Sequence, residues 1–139
     1  MIRQTILGHV TTLLLGGLIY ILFRQETLQM FGWFDSINLL GIISELRELT
    51  IPMKKYLPEW FIYSLPDGLW VFSYVSGLML VWDNHINKSN FFWIILIPFL
   101  SLSSESFQFY NLIPGTFDLM DMTFYLIGAV LPIIIFKPK

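Results

Sequence analysis

Residues 91–136 read FFWIILIPFLSLSSESFQFYNLIPGTFDLMDMTFYLIGAVLPIIIF, and this stretch decides the fold. Two apolar segments are joined by a short turn around Pro114-Gly115. Each approaches the roughly 20 residues that carry an α-helix across a bilayer. The first is apolar only from Phe91 to Leu102, which is too short to cross. The helix must therefore continue through Ser103, Ser104, Glu105 and Gln108 at the membrane edge. The second opens on Asp118 and Asp121 and then stays apolar to Phe136. So short a turn makes Glu105–Gln108 and Asp118–Asp121 neighbours. A carboxylate near hydrocarbon costs about 2.5 to 3.5 kcal/mol at a helix centre and less toward the ends. Acids gathered at one level therefore mark a hydrated pocket or a functional site.

The rest of the chain belongs to the same class. Of its 139 residues 55% are hydrophobic and only 13% are charged, about half the charge of a typical soluble domain. Such a chain cannot cover a water-soluble globule, so it reads as one integral membrane domain, residues 1–139. Its 13 Phe, 6 Tyr and 5 Trp suit lipid-facing surface and interfacial belts. The net charge of −2 excludes nucleic acid as an expected partner. Without cysteine there is no disulfide, thiolate metal site or Cys nucleophile.

Residues 5–23 carry no formal charge and lie between Arg3 and Arg24. They read as a retained first span rather than a cleaved leader, with Gly16 and Gly17 open to close helix approach. A second span covers 67–83, a third 91–110 and a fourth 117–136. Between the first and second lies an interfacial insertion, about 36–63. There Ser36 is expected to cap a helix with Leu39, Leu40, Ile43 and Leu46 on one face, Pro52 ends it, and Trp60, Phe61 and Tyr63 have an interfacial composition. The expected fold is all-α: four transmembrane helices with an amphipathic insertion between helices 1 and 2.

In this arrangement Arg3, Lys88, Lys137 and Lys139 lie at one membrane face, and Arg24, Arg47, Lys54 and Lys55 at the other. The first set is the denser near helix ends, which places both termini inside and the acids outside. Helical spacing puts Glu105 with Gln108, Asp67 with Tyr74, and Asp118 with Asp121 and Tyr125, each set on one face. Carboxylates so gathered raise one another's pKa unless a cation joins them; Arg24 and Arg47 are expected charge partners, with Lys54, Lys55 or a bound metal also open. Asp67, Asp118 and Asp121 also fit ordinary helix-start chemistry, with Thr116 available as a cap. Glu105 does not, because it lies toward a helix C-terminus. His9 reads as a packing residue and His85 as a solvated one. No cofactor is implied, and an oxygen-only metal site is a lesser expectation. No nucleophile–base pair appears, so an enzyme is the last expectation.

Glu105-Ser-Phe-Gln108, Phe117-Asp118-Leu-Met-Asp121 and Gly128 together resemble the VanZ-like membrane family. That family carries a Glu and Gln near the end of its third helix and an R-x-F-D-x-x-D-x-x-x-N-x-x-G pattern opening the last. Gly115 stands at the family Arg position and Tyr125 at the Asn. Asp67 and Tyr74 are similar to the acid and tyrosine of its D-K-x-x-H-x-x-x-Y-like pattern, with Gly68 and Val71 near the missing Lys and His. The resemblance covers Asp67 to Phe136. It implies a multi-pass protein of the bacterial inner membrane, in some members linked to glycopeptide antibiotic susceptibility. The expected partners are the lipid bilayer and a lipid-linked or amphipathic ligand. A membrane protein partner or a second copy is also open. An ion-conducting pore subunit and a structural subunit of a larger complex are the alternatives.

Overall fold

The computed structural model describes residues 2–138, and Lys139 of the expected inner cation set lies outside them. The described chain is helical throughout, without a strand among those residues. Helix α1 spans Gln4–Phe23 and opens with a π-helical stretch, Gln4–Val10. There follow α2 (Gln29–Ser36), α3 (Leu40–Thr50), a 3₁₀ segment (Ile51–Tyr56), α4 (Glu59–Tyr63), α5 (Leu65–Val81), α6 (Lys88–Phe109) and α7 (Leu119–Phe136). Helices α1, α6 and α7 are long and apolar enough to cross a membrane, and they mark the chain as a membrane protein. Helix α5, at 17 residues, is apolar but falls short of that length.

Helix α5 is the axis of the bundle. Val71, Val75 and Met79 are its buried core, joined by Ile94 of α6 and ringed by Ala129, Ile133 and Phe136 of α7. Small residues let its neighbours close on it. Gly16 of α1 faces Trp70 and the Pro66 carbonyl, and Gly77 faces the His9 ring. On the other side Gly68 and Gly128 bring α5 and α7 into backbone contact, a small-residue approach that packs membrane helices where apolar side chains gain nothing over lipid. Gly17 meets open space. The outward faces of α1, α6 and α7 carry Leu14, Leu18, Phe99, Leu100, Leu126 and Ile134, all exposed.

Polar bonds fix the helix ends. Asn87 and Asn90 form a reciprocal capping box at the start of α6: the Asn87 side chain accepts from Asn90 N at 3.2 Å, and Asn90 Oδ1 accepts from Asn87 N at 2.8 Å. At α7 the cap is Asp118, whose Oδ1 accepts from Met120 N at 2.7 Å. That cap is not the expected Thr116, because the helix starts two residues later.

The insertion differs from expectation in its detail. An additional helix, α2, precedes α3. Ser36 ends α2, bonding back to the Trp33 carbonyl at 2.7 Å, and does not cap α3. Within α3, Ile43 is buried as expected, but Leu39 and Leu46 are exposed. Arg47 of the same helix is buried despite its charge.

Candidate functional site

The starts of α5 and α7 bring the central acids together. Gly128 lies against the Gly68 carbonyl and the Phe72 amide, which holds the two helices side by side and parallel over their first turns. Asp67 precedes Gly68, and Asp121 and Tyr125 lie two turns and one turn before Gly128. The Tyr125 hydroxyl faces the half-buried Asp67 carboxylate at hydrogen-bonding range. Arg24, Asp121 and Glu105 are all within electrostatic range of that carboxylate. Asp67 and Asp121 occupy the first turns of their helices, where the helix dipole favours a negative charge.

Arg24 is the cation of the group. It follows the last residue of α1, and its guanidinium lies 5.0 Å from the Tyr20 ring centroid and 5.0 Å from that of Tyr63. Such a cation–π sandwich holds the charge without neutralising it. The chain at Arg24 is itself held by Arg47. The Arg47 guanidinium donates to the Ile21 carbonyl and, at 2.7 Å, to the Arg24 carbonyl. Its Nε bonds Glu26 Oε1 at 3.0 Å, and the Phe31 ring lies 4.9 Å away. Arg47 therefore satisfies carbonyls left free at the end of α1. It acts as a clamp on α1, so of the two expected charge partners only Arg24 faces the acids. Lys54 and Lys55 lie over the Tyr63 and Tyr56 rings.

Glu105 is buried at 4% exposure, and one carboxylate oxygen accepts the Asp118 backbone N–H at 3.2 Å. It fastens the end of α6 to the entry of α7. Gln108 packs against Gly115, whose φ of +135° suits glycine and where a β-carbon would strike the Gln108 side chain. Both residues thus shape the turn. Asp118 is exposed and serves as the cap. Tyr74 is not brought to the acids: its hydroxyl donates to the Trp93 carbonyl near the opposite end of α6.

Two buried atoms in the cluster lack a hydrogen-bond partner, Asp121 Oδ1 and Arg24 Nε. One is an acceptor and the other a donor. Buried polar atoms are generally paired, so each of these two atoms stands out as a candidate contact for a polar group. Beside this cluster, Ser106, Phe109, Tyr110, Phe117 and Met122 line an open apolar groove of about 240 Å³. Among the described residues no group of three or more His, Cys, Asp or Glu is disposed to hold a metal ion.

Sequence reasoning missed a second polar system between α1 and α5. The side-chain amides of Gln4 and Asn84 pair reciprocally at 2.8 and 2.9 Å, and Gln4 also donates to the Ser76 carbonyl at 3.2 Å. One turn deeper His9 Nδ1 contacts Ser73 Oγ at 2.9 Å and the Ser73 carbonyl at 3.0 Å, and Ser73 Oγ donates to the His9 carbonyl. These groups bond mainly to one another, so they join the helices. The only local signal was a run of polar residues on otherwise apolar helices.

No protein-family model matches the chain, and no curated protein or solved structure matches it.

Proposed function

We propose that this chain is a four-span, VanZ-like protein of the bacterial inner membrane, and that it binds the polar head of an amphipathic or lipid-linked molecule at its outer face. The observation that carries this reading is the pair of unpartnered buried atoms, Asp121 Oδ1 and Arg24 Nε, beside Asp67 and Tyr125. A head group offering both a donor and an acceptor, such as a peptide or amino sugar, complements them. The apolar groove between Phe109 and Phe117 suits the hydrocarbon part of the same molecule. Helix α5 serves as the fourth crossing. It is sheathed by α1, α6 and α7, and α4 extends it at its N-terminal end, so it needs less lipid-matched length than an outer helix. With four crossings both termini share the inner face. Asp121 and Arg24 then bind the ligand, Asp67 and Tyr125 orient them, and Glu105 and Asp118 hold the fold around the site.

A pore is the weaker reading, because the Gln4–Asn84 and His9–Ser73 pairs direct most of their hydrogen bonds to one another. The test is teicoplanin susceptibility in a bacterial host expressing wild type, Asp121→Asn or Glu105→Gln at matched membrane abundance. Protection by wild type and by Glu105→Gln, lost in Asp121→Asn, is the expected result. Protection by none of them overturns the glycopeptide reading.

A further inference from the structure

At the opposite end of the bundle, a pocket of about 270 Å³ is lined by Arg3, Gln4, Asn84, Ile135 and Phe136. That is several times the roughly 30 Å³ share of one water molecule. Its floor is rigid and polar. Gln4 is 4% exposed, and its amide nitrogen is committed to Ser76 and Asn84. Asn84 spends one amide N–H on Gln4, which leaves its second N–H for the pocket. At the rim, Arg3 is exposed and forms no ion pair among the described residues. A guanidinium presents a fork of donors matched to phosphate oxygens. The remaining walls, Ile135 and Phe136, are apolar, and the flanking Ile2 and Ile6 face outward. Lys88 and Lys137 lie at the same membrane end, which favours anionic lipid there.

We infer that this pocket binds the phosphate headgroup of an anionic phospholipid. Arg3 would grip the phosphate oxygens, Asn84 would donate to one of them, and Ile135 and Phe136 would face the glycerol and upper acyl chain. This site is independent of the outer one, and neither Asp121 nor Arg24 takes part in it.

The test is native mass spectrometry of the purified full chain in neutral detergent, titrated with phosphatidylglycerol and, separately, with diacylglycerol. Arg3→Gln removes the cation from an exposed position, so folding is unaffected. Lys88→Gln removes a cation from the same membrane end but outside the pocket. Phosphatidylglycerol retention is expected to fall about fivefold or more in Arg3→Gln, to recover in part in Arg3→Lys, and to hold in Lys88→Gln. Equal losses in Arg3→Gln and Lys88→Gln would reduce the effect to diffuse surface charge and overturn the site. Equal retention of diacylglycerol would overturn the headgroup. Displacement of the lipid by millimolar inorganic phosphate would overturn the lipid as occupant.

Discussion

Gly128 of α7 lies so close against the backbone carbonyl of Gly68 in α5 that no β-carbon fits between them. This contact sets the separation of the two helices just below the level where Asp67, Asp121 and Tyr125 meet. Packing and site are therefore coupled through two residues that have no side chain of their own.

Replacing Gly128 with alanine should force the helices apart. A cost of about 1 to 3 kcal/mol is expected from overpacking, measured as a loss of thermal stability of the purified protein. Gly17→Ala, in open space, should change stability by no more than about 0.5 kcal/mol. Equal behaviour of the two variants would mean that the α5–α7 contact is looser than described.

Arg47 is a clamp whose removal leaves carbonyls of Ile21 and Arg24 and the Glu26 carboxylate without their donor. Arg47→Ala should destabilise by about 2 to 4 kcal/mol. Arg47→Lys should restore only part of that, because a point charge cannot span three acceptors. Glu26 is largely exposed, so Glu26→Gln should cost under about 1 kcal/mol. Denaturation of the three variants side by side gives the order, and a full rescue by lysine would count against the clamp.

Glu105 acts as an acceptor for one backbone N–H. Glutamine keeps an acceptor oxygen at that position, so Glu105→Gln should fold and behave as wild type. Glu105→Ala should lose about 1 to 3 kcal/mol, since it strands the Asp118 amide. A loss of function in Glu105→Gln at full abundance would show that the negative charge itself is required.

Gln4 and Asn84 are 80 residues apart in the chain yet pair through both amides. A double-mutant cycle with leucine at each position should return a coupling of about 0.6 to 1.7 kcal/mol, the range of interhelical side-chain bonds in membranes. A coupling near zero would place the two amides in contact with solvent instead of each other.

The helices were legible in the sequence because each is a long apolar run. Residues 5–23, 91–110 and 117–136 match α1, α6 and α7 to within three residues at every end. The gathering of acids was also legible, because a short turn forces Glu105 and Asp118 together and helical spacing places Asp121 with Tyr125. Long-range relations were not. Nothing local distinguishes Arg47, which turns inward to cap another helix, from an exposed arginine on an amphipathic face. Tyr74 shares a helical stripe with Asp67, but the position of α6 takes its hydroxyl to Trp93. Ser36 looked like a cap because Ser favours helix starts, yet the left-handed residue Asn38 delays α3 until Leu40. Gly68 and Gly128 stand on apolar helices like any other glycine until the two backbones meet.

The central claim is that the open atoms of Asp121 and Arg24 receive a ligand. It is tested most directly by calorimetric titration of the full chain, in lipid nanodiscs, with teicoplanin. Saturable binding is predicted, weakened about tenfold or more by Asp121→Asn, which keeps an acceptor oxygen but removes the charge that strengthens its bond, and unchanged in Tyr74→Phe. Binding of equal strength in wild type and Asp121→Asn, or no saturable binding to the wild type, would contradict the account.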